Sequence, residues 1–514
     1  MTALRKTSAL EWIFLLLALG VGAAVNFVGL GRSSLWSDEA IYAVAAHNAV
    51  ANGNWYPLKF QGRRYSWKPP LAVWPVAVSF AAFGESEFSD RLPSAVFATL
   101  TVAMVFIVSA WMLDVWSGLF AALLLATISP WLDIHGARAG VTEPLLCFCL
   151  ICALASYHLY RIEHARRWLV VACGAACLSG LYKGLLGPTL LFLATLADEL
   201  TGFVCSMKKS GESRSAPLDS WASCFKAPSL LLLSGLSAYL LWVIENLLHA
   251  PGFLHQLFRD VVVRMTSGVD AGHLQGHVYY LQLLYRGMGY LWVPLAIGTV
   301  VALTTGQGAR GQALRLTAVF AIVAMALIHC SVSKLPWYIT PALPALAVLV
   351  AAGVRWIIFR PVSVQWMHAS AYALFGLVVL VPRISAAWAI ANKPPVTIDM
   401  QRIARVIRNT PEARFHLDIP SEHHPIAAGD WNWKVREWNE YYLLQTEAVA
   451  VPLPADFQSS GCDVVLTDQA PDLISRPAFA GAEVFKLRKY EPRESDLAVL
   501  DLCKGRIRSQ LQSG

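Results

Sequence analysis

Charge is what this chain has least of. Asp, Glu, Lys and Arg supply 15% of its 514 residues against 56% hydrophobic, and the mean hydropathy is +0.49. So thin a polar coat excludes a soluble globular protein and points to a polytopic membrane protein. A glycine-rich phosphate-cradling loop is missing as well, so no nucleotide site is expected. Ten cysteines are present, but eight lie in or beside apolar runs, where they behave as small hydrophobes. The one C-x-x-C, Cys149 to Cys152, sits inside such a run with no second ligand pair following, which argues against structural zinc. Cys462 and Cys503 fall in a polar tail and could join if that tail meets an oxidising compartment.

What is there is a series of apolar windows long enough to cross a hydrocarbon layer of about 30 Å. They fall near 9–29, 91–113, 115–132, 143–161, 229–249, 288–305, 314–331, 336–354 and 366–390. A longer run, 168–201, divides into two at Lys183-Gly184. The first window is read as a span and not as a cleaved signal peptide, because its small-x-small candidates lie inside the apolar run. The window 70–83 is short, and charge decides its case. With the N-terminus inside and 70–83 not crossing, the loops bearing Arg161/Arg166/Arg167, Lys208/Lys209/Arg214/Lys226, Arg310/Arg315 and Arg355/Arg360 all face the cytoplasm. Eleven spans follow, N-in and C-out. The net charge of +7 then reflects inner-face anchors and calls for no nucleic-acid partner.

This topology collects 31–90, 133–143, the Lys183 turn, 250–287 and 332–335 on one outer face. The expected architecture is a helical membrane domain, 1–390, followed by a small soluble extracytoplasmic α/β domain, 391–514. In that tail the runs CDVVLTD (462–468) and AEVFKLRKY (482–490) read as strands, and DMQRIARVIRN (399–409) as a helix.

Residues 33–75 are the only long polar stretch in the N-terminal half and hold Asp38, Glu39, Arg63, Arg64 and Lys68. Acids and cations gathered at a membrane surface suit an anionic, lipid-attached substrate. Ser37-Asp38-Glu39 opens an expected amphipathic helix. Ser37 would cap it and the acids would favour its positive end, yet an aspartate kept ionised there can also accept a proton from a hydroxyl. Lys68-Pro69-Pro70-Leu71 follows Arg63-Arg64-Tyr65. Cations and aromatics snorkel at interfaces, but two prolines stiffen the chain and fix where Lys68 points, which binding a lipid phosphate requires.

His135-Gly136-Ala137-Arg138 and Glu143-Pro144 return to the same face. Arg138 and Glu143 either pair, or Glu143 orients a sugar or acceptor as a second carboxylate. Lys183 and Lys334 each stand at an outer helix end, the latter in SKLPWYITPALP with Tyr338. Snorkelling accounts for either one; two cations on the face that the positive-inside rule disfavours point to anion binding. Segment 250–287 carries Asp260, Arg264, His273 and His277. Its G-H-L-Q-G-H spacing lacks a carboxylate at ligand distance, so no metal site is assigned; a divalent ion is allowed but not required.

In order, a first-loop Asp-Glu, F-x-G-x-R-Y-x-x-K-P-P-L (FQGRRYSWKPPL), a later acid-Pro, a Lys-Gly turn and K-L-P-x-Y-x-x-P-A-L-P resemble the lipid-A aminoarabinose transferases. More broadly they resemble membrane glycosyltransferases of the C-type fold, protein O-mannosyltransferases included. The likeness covers about 10–390; the tail matches in position only. It implies an inverting transfer of a sugar from a polyprenyl-phosphate carrier to a lipid A, glycan or protein acceptor outside the inner membrane, by a monomer. It also implies Asp38 as catalytic acid-base residue with Glu39 beside it, and Glu143 in place of a second-loop aspartate. Lys68, Arg64, Tyr65, Arg138, Lys183, Asp260, Arg264, Lys334 and Tyr338 would bind the carrier phosphate or substrate. Three positions depart from the pattern: Trp67 replaces a Glu, Ile41 an Arg, and Asp260-Val261 a Glu-His pair. The resemblance therefore does not carry aminoarabinose over as the sugar. The competing class is a transporter or flippase of polyprenyl-linked sugars, which would place ionisable groups mid-membrane. Here Glu245, His249, His329, Lys183 and Lys334 gather at outer ends, which favours an enzyme working at one face.

Overall fold

A segment that leaves water must satisfy its own backbone groups, and the apolar windows do so as helices. The computed structural model describes residues 8–36, 38–60, 63–132, 135–210, 218–267, 274–304, 308–359, 365–396, 399–408, 410, 413–418, 458, 462–467, 470–475, 477–479, 481–486 and 498–503. In chain order the helices are α1 (Ala9–Phe27), α2 (Asp38–Ala51), α3 (Trp74–Phe83), α4 (Glu87–Met112), α5 (Val115–Thr127), α6 (Ser129–Leu132), α7 (Glu143–Glu163), α8 (Arg166–Lys183) and α9 (Leu186–Ser210). There follow α10 (Leu218–His249), α11 (Phe253–Phe258), α12 (Arg264–Thr266), α13 (Tyr279–Met288), α14 (Trp292–Thr304), α15 (Gly308–Cys330), α16 (Leu343–Phe359), α17 (Gln365–Ala391) and α18 (Asp399–Arg408).

Among the described residues, eight helices are long and apolar enough to cross a membrane: Ala9–Phe27, Glu87–Met112, Glu143–Glu163, Ala222–His249, Tyr279–Thr304, Gly308–Cys330, Pro336–Ile358 and Ser370–Ala391. The protein is a multi-pass membrane protein. α5 is a shorter apolar helix. α3, with 10 residues, reaches about 15 Å, half of a hydrocarbon layer. The run 168–201 breaks at the expected place: α8 ends on Lys183, and Gly184 takes a φ of +64° that side chains resist.

The described chain forms two compact units. The first holds residues up to 30, 66–75 and 91–393; the second holds 31–65, 76–90 and the tail from 394. In the first unit α16 is the central helix, its apolar window 83% buried, while the window of α17 is 11% buried and faces outward. α14 and α16 cross at backbone distance. A Cβ on Gly298 would overlap the Leu349 carbonyl oxygen, and one on Gly353 would overlap that of Pro294. One end of this bundle carries two ion-pair networks. Asp198, midway along α9, binds Arg161 of α7 and Arg315 of α15, the latter at 2.7 Å. Asp114, which caps α5, binds Arg355 of α16 at 2.7 Å, and Ser117 of α5 meets the Tyr372 hydroxyl of α17 at 2.8 Å. Arg161, Arg315 and Arg355 entered the charge argument as flanking cations; in the structure they also tie helix ends together.

The second unit does not follow the linear division of the sequence reading. Residues 31–65 and 76–90 of the first loop, which that reading kept with 1–390, group here with the tail, while 66–75 stay with the helices. The loop's α2 is not amphipathic: Glu39 through Ala46 are all buried. Ser37, the expected cap, lies outside the described residues. Two short strands, β1 (Lys59–Phe60) and β2 (Arg63–Arg64), pair antiparallel. The tail forms a four-stranded sheet in the order β3 (Ala413–Asp418), β4 (Cys462–Thr467), β6 (Ala498–Asp501), β5 (Glu483–Lys486); β3 and β4 run parallel, the other pairs antiparallel. β4, β5 and α18 lie within the expected strand and helix runs. A disulfide joins Cys462 to Cys503.

Candidate functional site at one end of the helical bundle

Opposite the ion-pair networks, the first unit gathers most of the sequence-predicted site. Glu143 opens α7, 3% exposed, and forms an ion pair with Lys183 at the end of α8. That replaces the Arg138–Glu143 pair weighed from sequence. Arg138 instead donates to carbonyls of Val25, Asn26 (3.2 Å), Val28 (2.7 Å) and Ala391 (3.4 Å), fastening the ends of α1 and α17. His135, with φ +57°, stacks on Trp337 at a centroid distance of 3.9 Å. Cys147, one turn into α7, donates to the Thr340 carbonyl at 3.5 Å. The start of α7 thus abuts the short helix Pro336–Ala342 that leads into α16.

The Lys334 segment binds a second neighbour. Val332 N–H donates to the Met265 carbonyl at 2.9 Å and Ser333 N–H to that of Arg264 at 3.2 Å. The Arg264 guanidinium reaches the Tyr338 hydroxyl at 3.1 Å and lies 3.6 Å from Asp260 one turn back. Lys334 is 4% exposed; its ammonium donates to the Ser331 carbonyl at 2.6 Å, and no described carboxylate pairs with it. Lys68 arrives by a third route. Gln256 of α11 accepts from Ser66 Oγ at 3.1 Å and donates to the Ser66 carbonyl at 3.2 Å. Leu71 packs on Leu145, Cys149 and Tyr182, neighbours of Glu143 and Lys183. The rigid Lys-Pro-Pro-Leu strap therefore lies against both α7 and α8, and next to the helix leading to Arg264.

Asp38, Glu39, Arg64 and Tyr65 belong to the second unit. Asp38 stands at the first position of α2, half-buried. Glu39 is buried and accepts from Trp36 N–H at 3.0 Å, so it closes the turn ahead of its own helix. Arg64 lies over the Tyr56 ring at 5.9 Å, and Tyr65, buried, packs edge-on against Phe60. His273 lies outside the described residues. Among the described residues no group of three or more His, Cys, Asp or Glu is placed to hold a metal. Sequence reasoning missed Gln256, a lone amide within a short helix, whose partner 190 residues away left no local signal.

The helical bundle with a cation-lined end has the C-type fold of membrane glycosyltransferases. The fold matches ArnT from Cupriavidus metallidurans, solved with undecaprenyl phosphate bound, with a TM-score of 0.62, 18% identity, and 96% of this chain and 98% of that one covered. It also matches the archaeal oligosaccharyltransferase AglB from Archaeoglobus fulgidus, at TM-score 0.56, 13% identity, 86% of this chain and 64% of that one.

In sequence, residues 67–209 match the dolichyl-phosphate-mannose-protein mannosyltransferase family. The undecaprenyl phosphate-alpha-4-amino-4-deoxy-L-arabinose arabinosyl transferase of Pseudomonas savastanoi pv. phaseolicola is 27% identical over 333 residues, 63% of this chain and 57% of the relative. That of Erwinia tasmaniensis is 28% identical over 345 residues, 64% of this chain and 57% of the relative. That of Enterobacter sp. is 26% identical over 374 residues, 70% and 63%. The matches thus span about three-fifths of these relatives' own length. The chain is related to these transferases and to the mannosyltransferases.

Proposed function

We propose that the protein is an integral-membrane glycosyltransferase that moves a sugar from a polyprenyl-phosphate carrier to a lipid A, glycan or protein acceptor on the outer face of the inner membrane. One observation carries this reading. Lys334 is buried beside a backbone carbonyl with no described carboxylate partner, on the segment whose backbone binds Arg264 and whose Tyr338 meets the Arg264 guanidinium. A buried ammonium without a counter-charge is costly, and an anionic ligand removes the cost. A lipid-borne phosphate is such a ligand, and fixed cations would also stabilise it as a leaving group.

The reaction is an inverting displacement. The acceptor oxygen bonds to the anomeric carbon, the bond from that carbon to the carrier phosphate oxygen breaks, and polyprenyl phosphate leaves with the electron pair. Lys68, Arg264, Tyr338 and Lys334 hold the phosphate. Lys183 contributes less, since Glu143 shares its charge. Asp38 accepts the proton of a hydroxyl acceptor, while a phosphate acceptor needs no such help. Arg64, Tyr65 and Asp260 bind carrier or substrate, and Glu39 stands beside Asp38 in the sequence. The enzyme works as a monomer. α5, α8 and α9 join the eight long helices to give eleven spans, N-in. The Cys462–Cys503 disulfide supports an extracytoplasmic tail, because such bonds persist in oxidising compartments.

The test is release of polyprenyl phosphate from a polyprenyl-phosphate sugar by purified protein in detergent with acceptor present. Asp38→Asn should lower that rate roughly 10²- to 10⁴-fold with a hydroxyl acceptor while leaving thermal unfolding unchanged. No release by the unmodified protein sinks the reading; full activity of Asp38→Asn removes Asp38 from it.

A further inference from the structure

The first loop leaves its start at Gly31 and returns to α4 at Glu87, and within it α2 presents Asp38. Two supports hold α2 within the second unit. At its beginning, Trp36 N–H donates to Glu39, which fixes the turn that follows Ser34. Toward its end, His47 Nδ1 meets the Glu85 carboxylate at 2.9 Å. Ser34 and Glu85 are 51 residues apart in sequence.

A single side chain of the tail joins them. Gln401, on the first turn of α18, accepts from Ser34 Oγ through Oε1 at 2.6 Å and donates through Nε2 to the carboxylate of Glu87, two residues beyond Glu85. A carboxylate can only accept, so the amide nitrogen must face Glu87 and its oxygen must face the Ser34 hydroxyl. Gln401 is 4% exposed and Ser34 7%. The amide is further fixed by its surroundings. Ser34 N–H donates to the Val396 carbonyl at 2.9 Å, and Val396 N–H donates to Ser33 Oγ at 3.2 Å. Ile403, Ala404 and Val406 are buried and seat α18. At Gly31 a Cβ would meet that of Phe88 at 2.9 Å, so the two ends of the loop already touch backbone to side chain.

We propose that Gln401 is a positioning residue: its amide locks both ends of the first loop together and thereby fixes where α2 presents Asp38. The tail thus acts on transfer through the first loop, and the inference rests on Asp38 being the acceptor base. It gives the tail, which carries no residue of the proposed chemistry, a task in the reaction.

The experiment uses full-length protein in detergent. Gln401→Glu has the same shape but sets a carboxylate against Glu87. Adding Glu87→Gln restores a donor and an acceptor with the bond reversed. Gln401→Glu is expected to lower kcat roughly 10- to 100-fold, the usual cost of sub-ångström to ångström misplacement, with KM for the carrier unchanged, and the double variant to regain most of it. Amide hydrogen exchange across residues 38–51 should quicken in the single variant and slow again in the double. If Gln401→Glu does not fold, Gln401→Met removes both bonds without adding charge and should show the same kcat loss. An unchanged kcat, a loss that Glu87→Gln does not rescue, or exchange that does not respond overturns the proposal. If the unmodified protein transfers no sugar, the functional reading fails by itself, and the exchange measurement still decides whether the lock exists.

Discussion

Glu143 and Lys183 set the terms at the scale of single residues. Their ion pair is almost wholly withdrawn from solvent, so each charge depends on the other. Removing one partner of such a pair strands the second, at a typical cost of about 3–5 kcal/mol, whereas replacing both by apolar groups is often close to neutral. Lys183→Met should therefore lower the thermal unfolding midpoint in detergent markedly, and Lys183→Met with Glu143→Leu should recover most of it. Stability unaffected by the single change would return Lys183 to the list of free phosphate ligands. Lys334 differs: it is buried, and its ammonium donates to a backbone carbonyl. Arg138, legible in the sequence as a cation on the outer face, turned out to be spent on carbonyls of α1 and α17. No residue-level pattern announces that choice, because a guanidinium accepts any oxygen that the fold brings within reach.

Among the elements, helix lengths and breaks were readable and their pairings were not. The Lys183-Gly184 break followed from a run too long for one span, and the positive φ of Gly184 supplies its cause. The contact of α14 with α16 had no such signal, although it rests on two glycines. At Gly298 and Gly353 each backbone occupies the space that the other's side chain would need. Gly353→Ala should force these helices apart and cost about 1–3 kcal/mol or more, as overpacking does; yield of folded protein after extraction and its unfolding midpoint measure this. An unperturbed midpoint would mean that the helices separate freely. β6, which lies between β4 and β5 in the sheet, escaped notice because AVLD is too short to display alternation. α2 was expected with one polar face, but its run of alanines is buried all round.

For the whole molecule, the two ends of the first unit differ in kind. One is closed by ion pairs around Asp198 and Asp114; the other offers Lys334, Arg264 and the Lys68 strap. The proposed topology, with the N-terminus inside, makes the second end face out. In a background lacking native cysteines, Pro251→Cys, exposed beyond α10, should react with a membrane-impermeant maleimide in intact cells. Arg167→Cys, exposed at the start of α8, should react only after permeabilisation. The reverse pattern would overturn the proposed topology.

The sequence by itself determined that this chain enters a membrane, where most of its helices begin and end, and which motifs merit attention. These are properties of neighbours along the chain: apolar run length, proline and glycine punctuation, and charge beside a span. Only the tertiary structure decided which charges neutralise one another. It also decided that an amide in the tail, 367 residues from Ser34, closes the first loop. Partner choice depends on distances through space, and hydrophobic periodicity carries no information about which of several equally polar groups will arrive at a shared point.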